Sequence, residues 1–538
     1  MSTLTINGPR LLPAGRPSLL ANHWVIALTV TMATFMEVLD TSIANVSLPH
    51  IAGNLSVSTN ESTWVLTSYL VANAIVLPLS GWLSAILGRK RFYMICVLMF
   101  TISSMLCGLA SGLGQLIFFR VLQGMGGGGL QPSEQAILVD TFPPQKRGMA
   151  MAVYGMAILV APVLGPTLGG WITDNYSWRW IFFINAPVGC ASLLLSSIVL
   201  RDPPHLIEKR AELRKKKFQV DYIGLSLIAL GLGTLEIVLD KGQDADWFGS
   251  RMIVCLSVVA VVSLVAAVVW ELKHPQPIVN LRLLKERNFR FCALVLFFAF
   301  GVLYGSTVLL PELMQLLMGY SATMAGLVMS PAGLFTMLEM PLIGFLLGRR
   351  VDARWLIMSG LAIVGFAAYW MSTLNLEVGP YQLIVPRIVQ TLGAGMLWVP
   401  GNTAAYMYIP RDQTSNASGL FNLIRNEGSS IGVSVVTTLL VRNSQAHQTF
   451  LAAHVNRLNP TATAALHHAT ATVLARTGDP VLSQKMGLAM IYSEVQRQAM
   501  ALSYFDMFRL FSLASFIVIP LVLLMKRSVA EKGATAAH

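Results

Sequence analysis

Charged residues are scarce in this sequence, and their scarcity excludes most soluble folds. Only 12% of the 538 residues are charged, 54% are hydrophobic, and the mean hydropathy is +0.62. Soluble domains carry about 25% charged residues. A water-soluble globule is therefore excluded, and the sequence predicts an all-α membrane protein.

Cysteines are also few, and they indicate neither disulfides nor a metal site. All five lie in apolar stretches without CxxC spacing, so they read as small buried hydrophobic residues. The glycine run 126–129 is not followed by the Lys-Ser/Thr of a phosphate-binding loop. The sequence shows no metal-ligand cluster and no nucleophile–base pair. We therefore expect that the protein is not an enzyme and that it binds neither a nucleotide nor a cofactor.

Long apolar stretches dominate what remains, because about 20 residues cross a bilayer as a helix. The sequence contains fourteen such stretches, at 24–48, 63–87, 92–110, 113–139, 148–172, 179–200, 220–240, 252–272, 290–314, 323–347, 354–374, 380–408, 415–441 and 505–525. The first is long enough to span, and residues 1–23 are polar and contain Pro and Gly, so no cleavable signal peptide is expected.

The basic residues predict the orientation of these spans. An even number of spans places both termini on one side, where the loops and termini contain 26 Lys and Arg against 8 on the other side. Positively charged loops stay in the cytoplasm, so we expect both termini there. The net charge of +12, including the basic run 214–217, then reflects topology and not nucleic-acid binding.

Two motifs occur twice, each time eight predicted spans apart, which indicates an internal repeat. Pro78-Leu79-Ser80-Gly81 with Gly88-Arg89-Lys90-Arg91 resembles Pro341-Leu342-Ile343-Gly344 with Gly348-Arg349-Arg350. Arg120-x-x-Gln123-x-x-Gly126-x-Gly128 resembles Arg387-x-x-Gln390-x-x-Gly393-x-Gly395. Because eight is even, the copies share their orientation, as in the two halves of a major facilitator transporter.

The repeat predicts two six-helix bundles and two inserted helices. We expect a cytoplasmic N-terminus at 1–23, bundles at 24–200 and 289–525, a basic linker with the inserted pair at 201–288, and a cytoplasmic tail at 526–538. The segment 442–504 is expected in the periplasm. It is either a hairpin that packs on its own transporter or a docking site for a partner.

Ionisable residues at membrane depth are costly and usually face a cavity or a partner. Glu37 and Asp40 are spaced i,i+3 and share a helix face, and Arg120 is expected at a similar depth. The three form either a static salt bridge or a proton switch in which a carboxylate is released from Arg120 on protonation.

The fifth predicted span is rich in small residues that allow close helix contact. It contains Gly155 and the group Gly165, Pro166, Gly169 and Gly170. Either this group serves packing alone, or it forms a seam that keeps protons from leaking through a rocking transporter.

These motifs together resemble a known family. The run Leu39-Asp40-Thr41-Ser42-Ile43-Ala44-Asn45-Val46-Ser47-Leu48-Pro49, the Arg120 motif, Gly165-Pro166-x-x-Gly169-Gly170, and Trp178 to Pro187 resemble the fourteen-helix drug:proton antiporters of the major facilitator superfamily. Leu239-Asp240-Lys241-Gly242 and Asp246-Trp247-Phe248 resemble its EmrB-like multidrug efflux branch.

The resemblance implies an activity, partners and a location. It implies proton-driven export of hydrophobic or amphiphilic compounds from the bacterial inner membrane, driven by the proton gradient alone. It also favours 442–504 as a docking site for a periplasmic membrane-fusion adaptor, which would connect to an outer-membrane channel. The alternative is a dedicated exporter of one metabolite, such as a siderophore, with the same fold.

The sequence departs from the family pattern at two places. Ala85 stands where the loop motif after Gly81 usually has an acidic residue, so the charge lock between the halves is expected to be weaker or made elsewhere. Glu37 stands where this branch commonly has an uncharged residue, which would alter coupling or favour cationic substrates.

Further polar residues are candidates for a cavity. The possible cavity residues are Gln123, Glu312, Glu339, Arg387 and Gln390. Glu312 and Glu339 either line the C-terminal half of the cavity or lie near helix ends in contact with solvent. Arg425 and Glu427 are expected to form a structural ion pair.

Overall fold

The computed structural model describes residues 22–202, 207, 221–275, 277–349, 351–456 and 458–528. Every regular element in these ranges is a helix. The basic run 214–217, nearly all of the N-terminal segment 1–23 and most of the tail 526–538 lie outside the described residues.

The helices of the N-terminal half precede a hairpin of two inserted helices. The N-terminal helices are α1 (His23–Leu55), α2 (Thr59–Ser62), α3 (Trp64–Leu87), α4 (Arg89–Leu109), α5 (Leu113–Gly127), α6 (Leu130–Thr141), α7 (Pro144–Asn175), α8 (Trp180–Phe183) and α9 (Asn185–Val199). The inserted hairpin consists of α10 (Tyr222–Lys241) and α11 (Arg251–Lys273).

The described part of the C-terminal half contains seven further helices. They are α12 (Arg287–Leu316), α13 (Ala322–Gly348), α14 (Ala353–Ser372), α15 (Pro380–Ala405), α16 (Thr414–His454), α17 (Pro460–Thr477) and α18 (Pro480–Leu523). Short 3₁₀ turns lie at Trp247–Gly249, Leu281–Lys285 and Arg411–Gln413.

Twelve described helical segments are long and apolar enough to cross a membrane. They are α1, α3, α4, α7, the α8–α9 run, α10 to α15, and α18. The two remaining predicted spans correspond to the α5–α6 pair, which is interrupted at Gly128 and Gly129, and to α16, which carries Arg425 and Glu427. The all-helical multi-pass fold is confirmed, whereas the count of fourteen spans stays a prediction.

The glycine run between α5 and α6 is explained by packing. A Cβ atom at Gly126 would lie 2.7 Å from the backbone nitrogen of Phe100 on α4. A Cβ atom at Gly128 would lie 2.7 Å from the carbonyl oxygen of Asn73 on α3. Glycine at these positions lets the broken span pass between α3 and α4 with backbone in contact with backbone.

Two of the helix pairs that join the halves approach each other closely. One pair is α7 and α13, where a Cβ atom at Gly344 would lie 2.8 Å from the Met149 Cα atom and Thr167 Oγ1 lies 3.1 Å from Ser330 Oγ. The other pair is α3 and α16, which approach closely at Gly81 and Asn416.

The inserted hairpin lies beside the interface between the halves. Glu236 of α10 accepts a hydrogen bond from Ser430 of α16 (2.8 Å), and Asp240 of α10 accepts one from Thr67 of α3. The partner helix α11 exposes much of its surface: Val261 and Val262 are each 62% exposed. In a membrane this apolar face contacts lipid.

The segment 442–504 is largely a continuation of two membrane helices. The helix α16 has 41 residues and α18 has 44, which makes them about 60 and 66 Å long, whereas the hydrocarbon core is about 30 Å thick. Between them, α17 packs on α18, and a Cβ atom at Gly487 would lie 2.6 Å from Thr470 Oγ1. These parts of α16, α17 and α18 form a helical extension, which we call the stalk (residues 442–504).

A close contact within the C-terminal half gives a test of the packing. A Cβ atom at Gly432 of α16 would collide with the backbone of Gly301 on α12, and one at Gly428 would collide with the Phe297 carbonyl. Gly432→Val should therefore destabilise the protein by about 1–3 kcal/mol through overpacking. Thermal unfolding in detergent measures this, with Gly114→Val as control because no atom lies within 4 Å of its Cβ position. Equal melting temperatures for the two variants would contradict the packing.

Candidate functional site

A buried ion pair joins the first and fourth predicted spans. Arg120 Nη1 of α5 donates to Asp40 Oδ2 of α1 at 2.6 Å. Arg120 is fully buried and Asp40 is 2% exposed. The sequence placed these two side chains at a common depth, and the structure brings them into direct contact.

Amide groups complete the surroundings of the Asp40 carboxylate. Gln123 Nε2 of α5 and Asn185 Nδ2 of α9 donate to its Oδ1 atom at 3.0 and 2.6 Å. Arg120 also donates from Nε to the Val65 carbonyl of α3 (3.0 Å), and its guanidinium lies 4.4 Å from the centre of the Tyr69 ring. Four helices thus contribute to the surroundings of one charge pair. Asn185 belongs to this site, although the sequence analysis did not assign it there.

Glu37 lies on the same helix but in a different environment. It is 4% exposed and accepts hydrogen bonds from Tyr69 (3.1 Å), Asn73 (3.3 Å) and Gln131 (2.8 Å). All three donors are neutral, and no cation in the described part of the chain lies within ion-pair distance of it. The three-member group expected from the sequence is therefore an Asp40–Arg120 pair with a separate buried carboxyl group nearby.

Glu134 is a buried carboxyl group that sequence reasoning missed. It lies on α6, is fully buried, and accepts a hydrogen bond from Thr31 of α1. The signal was present, because a glutamate inside the apolar stretch 113–139 is as unusual as Glu37 in the first span. The α1–α6 contact thus holds two carboxyl groups, Glu37 and Glu134, that lack a cationic partner among the described residues.

Gln131 connects this contact to the C-terminal half. Its Oε1 atom accepts a hydrogen bond from Arg425 of α16, while its Nε2 atom donates to Glu37. The Arg425 guanidinium lies 4.9 Å from the Trp398 ring centre and 5.3 Å from the Phe300 ring centre. An Arg425–Glu427 ion pair was expected and is not found in the described residues; Arg425 instead reaches across the interface between the halves.

The motif after α3 forms a second contact between the halves, at the end predicted to be cytoplasmic. A Cβ atom at Gly81 would lie 2.5 Å from Asn416 Oδ1, and Gly88 adopts φ 89°, a conformation that favours glycine. Arg89 is buried, forms an ion pair with Asp140 and donates to Ser415 Oγ of α16 at 2.9 Å. With Ala85 at the usual acidic position, Asp140 is the acid that partners Arg89.

The two other basic residues of this motif have weaker roles. The Lys90 backbone N–H donates to Asp202 (2.8 Å), and its Nζ donates to the Ser197 carbonyl (2.6 Å), which joins α4 to the end of α9. The side chain of Arg91 is exposed.

The glycine motif of α7 faces two different helices. A Cβ atom at Gly165 would collide with Ser42 of α1, and one at Gly169 would lie 3.0 Å from Ile43 Cγ2. Gly155 instead faces the C-terminal half, where its Cβ atom would lie 2.5 Å from Trp398 Cδ1. No atom lies within 4 Å of the corresponding position at Gly170.

Pro166 contributes to this contact through the hydrogen bond that it removes. A proline lacks the N–H that would bond to the carbonyl four residues earlier, which here is the carbonyl of Pro162. Ser42 Oγ of α1 donates to that carbonyl at 3.1 Å. The carbonyl that Pro166 leaves without its helical partner in α7 is thus hydrogen-bonded to α1, two residues after Asp40.

The C-terminal candidates are distributed over several contacts. Arg387 and Gln390 of α15 face Ser306 and Thr307 of α12. Glu312 is partly buried near the end of α12, next to Tyr504. Glu339 lies in the middle of α13, where its Oε2 atom is buried without a hydrogen-bond partner in the described residues, 2.5 Å from the Cβ position of Gly395.

The fold and the paired halves are those of a membrane transporter. The family model described as Major Facilitator Superfamily matches residues 30–433. The chain belongs to the major facilitator superfamily.

Within that family the chain is similar to proteins named for export and resistance. It is 41% identical over 437 residues to the Multidrug export protein EmrB of Haemophilus influenzae, covering 81% of this chain and 84% of that protein. It is 40% identical to EmrB of Escherichia coli strain K12, covering 82% and 84%. It is 38% identical to the Fatty acid resistance protein FarB of Neisseria gonorrhoeae, covering 94% and 96%.

Solved structures show the same fold at low sequence identity. The human organic anion transporter MFSD10 superposes with a TM-score of 0.60 at 14% identity, covering 93% of this chain and 99% of that one. The proton:xylose symporter XylE superposes with a TM-score of 0.55 at 15% identity, covering 91% and 94%. The predicted major facilitator fold is confirmed.

The Asp40–Arg120 pair can be tested by charge removal. Asp40→Asn or Arg120→Gln alone leaves the other charge buried without its partner, which costs about 3–5 kcal/mol. The double variant removes both charges, so we expect its melting temperature in detergent to lie above that of either single variant. If the effects of the two single variants simply add in the double variant, the two side chains do not act as a pair.

Proposed function

We propose that this protein exports hydrophobic or amphiphilic small molecules of varied structure across the bacterial inner membrane in exchange for protons. The observation that supports the proposal best is the Asp40–Arg120 pair, buried at membrane depth and bounded by helices of the N-terminal half. The names of the EmrB relatives support export of several drugs by this chain. Both termini are proposed to lie in the cytoplasm.

Protonation of Asp40 is proposed as the coupling step. The ionised carboxylate holds Arg120 through a charge-assisted hydrogen bond. A proton on Asp40 removes the negative charge, and Arg120 then keeps only neutral acceptors such as Gln123 Oε1 (2.9 Å). The contact between α1 and α5 weakens, and a conformational change between two states of the transporter becomes accessible.

The contact between α1 and α7 provides a path from this step to the interface between the halves. Ser42 bonds to α7 two residues after Asp40, and α7 packs along α13 of the other half. A shift of α1 therefore acts on the helix that carries the interface. Glu37 extends the same path through Gln131 to Arg425, so both carboxyl groups of α1 are proposed to take part in coupling, with Asp40 as the primary proton site.

The first test of coupling uses Asp40→Asn in proteoliposomes. The amide has nearly the volume of the carboxylate and cannot titrate, so export driven by an imposed pH gradient should fall to background. The matched control is Asp174→Asn, because Asp174 is an exposed aspartate near the end of α7. If Asp40→Asn transports at the rate of the control, the coupling site is not Asp40, and Glu37→Gln and Glu134→Gln become the next variants.

The stalk is proposed to dock a periplasmic membrane-fusion adaptor, which would continue to an outer-membrane channel. An adaptor needs a surface outside the membrane. The stalk is proposed to provide this surface, because its helix α18 exposes apolar side chains. Leu482, Met486 and Met490 of α18 recur every fourth residue and are 43%, 43% and 50% exposed. Exposed apolar side chains on one helix face indicate a protein-binding surface.

The second test separates docking from transport. Replacing Leu482, Met486 and Met490 together by Gln should lower the drug resistance of intact Gram-negative cells at least several-fold, while drug transport by purified protein in proteoliposomes stays unchanged. Removing about residues 455–500 with a Gly/Ser linker should do the same.

The control for this test replaces polar residues on the same helix. Gln484, Lys485 and Glu494 are exposed, and changing them to Ala should leave resistance intact. Full resistance of the apolar triple variant would contradict docking and would make the stalk a hairpin that packs on its own transporter.

A further inference from the structure

Arg387 carries a buried charge in the C-terminal half, and the residues that the structure describes offer it no acidic partner. The residue is 3% exposed. Its Nη2 donates to Thr307 Oγ1 at 2.8 Å, and its Nη1 donates to Gln390 Oε1 at 2.6 Å and to Ser306 Oγ at 3.4 Å. All of these acceptors are neutral, and no carboxylate in the described part of the chain lies within ion-pair distance.

The same pair of residues in the N-terminal half holds a carboxylate. Arg120 Nη1 donates to Gln123 Oε1 at 2.9 Å, as Arg387 does to Gln390, and the Gln123 amide then donates to Asp40. Gln390 has the equivalent orientation, because its Oε1 atom accepts from Arg387 and from Ser306 (3.0 Å). In the C-terminal half, Ser306 and Thr307 therefore stand at the place that Asp40 takes in the other half.

Two donor atoms at this place have no acceptor among the described residues. They are Arg387 Nε and Gln390 Nε2, and both are buried. A buried polar group without a partner is costly, and a buried charge without one is more so. A buried positive charge and two N–H groups without an acceptor among the described residues thus lie on Arg387 and Gln390, the copies of the two residues that hold a carboxylate in the other half.

The surrounding helices offer no compensating acid at this level. On α12, Glu312 lies five residues beyond Thr307, about 7.5 Å along the helix, and is a neighbour of Tyr504. On α13, Glu339 approaches Gly395, which is eight residues, or about 12 Å, from Arg387 on α15. The described helix α14 (Ala353–Ser372) contains no acidic residue. Its only charged residue is Arg354.

We propose that Arg387, Gln390, Ser306 and Thr307 bind one monovalent anion, either the carboxylate of an amphiphilic molecule or a chloride ion. The charged Nε–H of Arg387 and the Nε2 amide of Gln390 are suited to either ligand. The carboxylate version rests on the proposed export function, because it makes the anion part of a transported molecule. The chloride version does not depend on that function.

The test measures binding of tritiated laurate to the purified full-length protein in detergent at low chloride, with gluconate as the bulk anion. Laurate should bind, dodecanol of the same chain length should compete poorly, and Arg387→Gln should weaken laurate binding about tenfold or more, as expected for loss of a charged hydrogen bond. A parallel series measures the melting temperature as chloride replaces gluconate, which separates the two sources of the anion.

A second variant keeps Arg387 and places a carboxylate of the protein itself beside it. Ser306→Asp supplies the carboxylate that Asp40 supplies in the other half, so it should abolish binding of laurate and the effect of chloride while the protein stays folded. In Ser306→Asn the new side chain has nearly the volume of aspartate but no charge. This variant should bind anions more tightly than Ser306→Asp does. This pair distinguishes loss of the site from loss of the fold.

The results of these anion-binding experiments can be told apart from the results of the Asp40→Asn coupling test. Stabilisation by chloride without laurate binding supports the site and assigns it to chloride. Absence of both effects, or equal effects in wild type, Arg387→Gln and Ser306→Asp, overturns the anion site. Export of a cationic dye driven by a pH gradient is measured on the same preparations, so continued export with no anion binding would overturn this inference alone.

Discussion

The buried pair of Asp40 and Arg120 is the interaction on which the N-terminal half depends. Its members come from α1 and α5, and its remaining hydrogen bonds reach α3 and α9. Hydrocarbon offers no water to either charge, so each side chain is tolerated because the other is present. The helices that bring them together are therefore held in one arrangement for as long as both remain charged.

The same arrangement connects the pair to the rest of the molecule. Ser42, two residues beyond Asp40, donates to the carbonyl of α7 that Pro166 leaves without a partner. The glycines of α7 allow the backbone of α1 to pack closely against it. At the end predicted to be cytoplasmic, Arg89 joins Asp140 of its own half to Ser415 of the other. The interface between the halves thus includes a polar contact, Arg89 with Ser415, and a close glycine contact, Gly344 with Met149.

Much of this could be predicted from the sequence. Apolar stretches of span length predicted an all-helical membrane protein, and the two repeated motifs predicted paired halves. The spacing of Glu37 and Asp40, together with an arginine at similar depth, predicted the charge pair. These predictions depend on local periodicity and on the cost of burying charge, and both can be read without a structure.

The partners of these residues could not be predicted in the same way. Glu37 lies three residues from Asp40 and yet bonds to Gln131 of α6 and Tyr69 of α3, because the packing of these helices decides which donors reach it. Arg425 contacts Gln131 and Trp398 and not Glu427, since its neighbours come from other helices. Arg387 has only neutral acceptors among the described residues, because Ser306 and Thr307 of α12 face it, and the sequence alone does not show which side chains of α12 do so.

The most direct test of the coupling account is the number of protons released when a substrate binds. Purified protein in weakly buffered detergent solution is mixed with a drug that it binds, and the change in pH is recorded. The account predicts release of protons by the wild type, and loss of the Asp40 share of that release in Asp40→Asn, which should still bind the drug. If Asp40→Asn binds the drug and releases as many protons as the wild type, Asp40 is not the site at which protons and substrate compete.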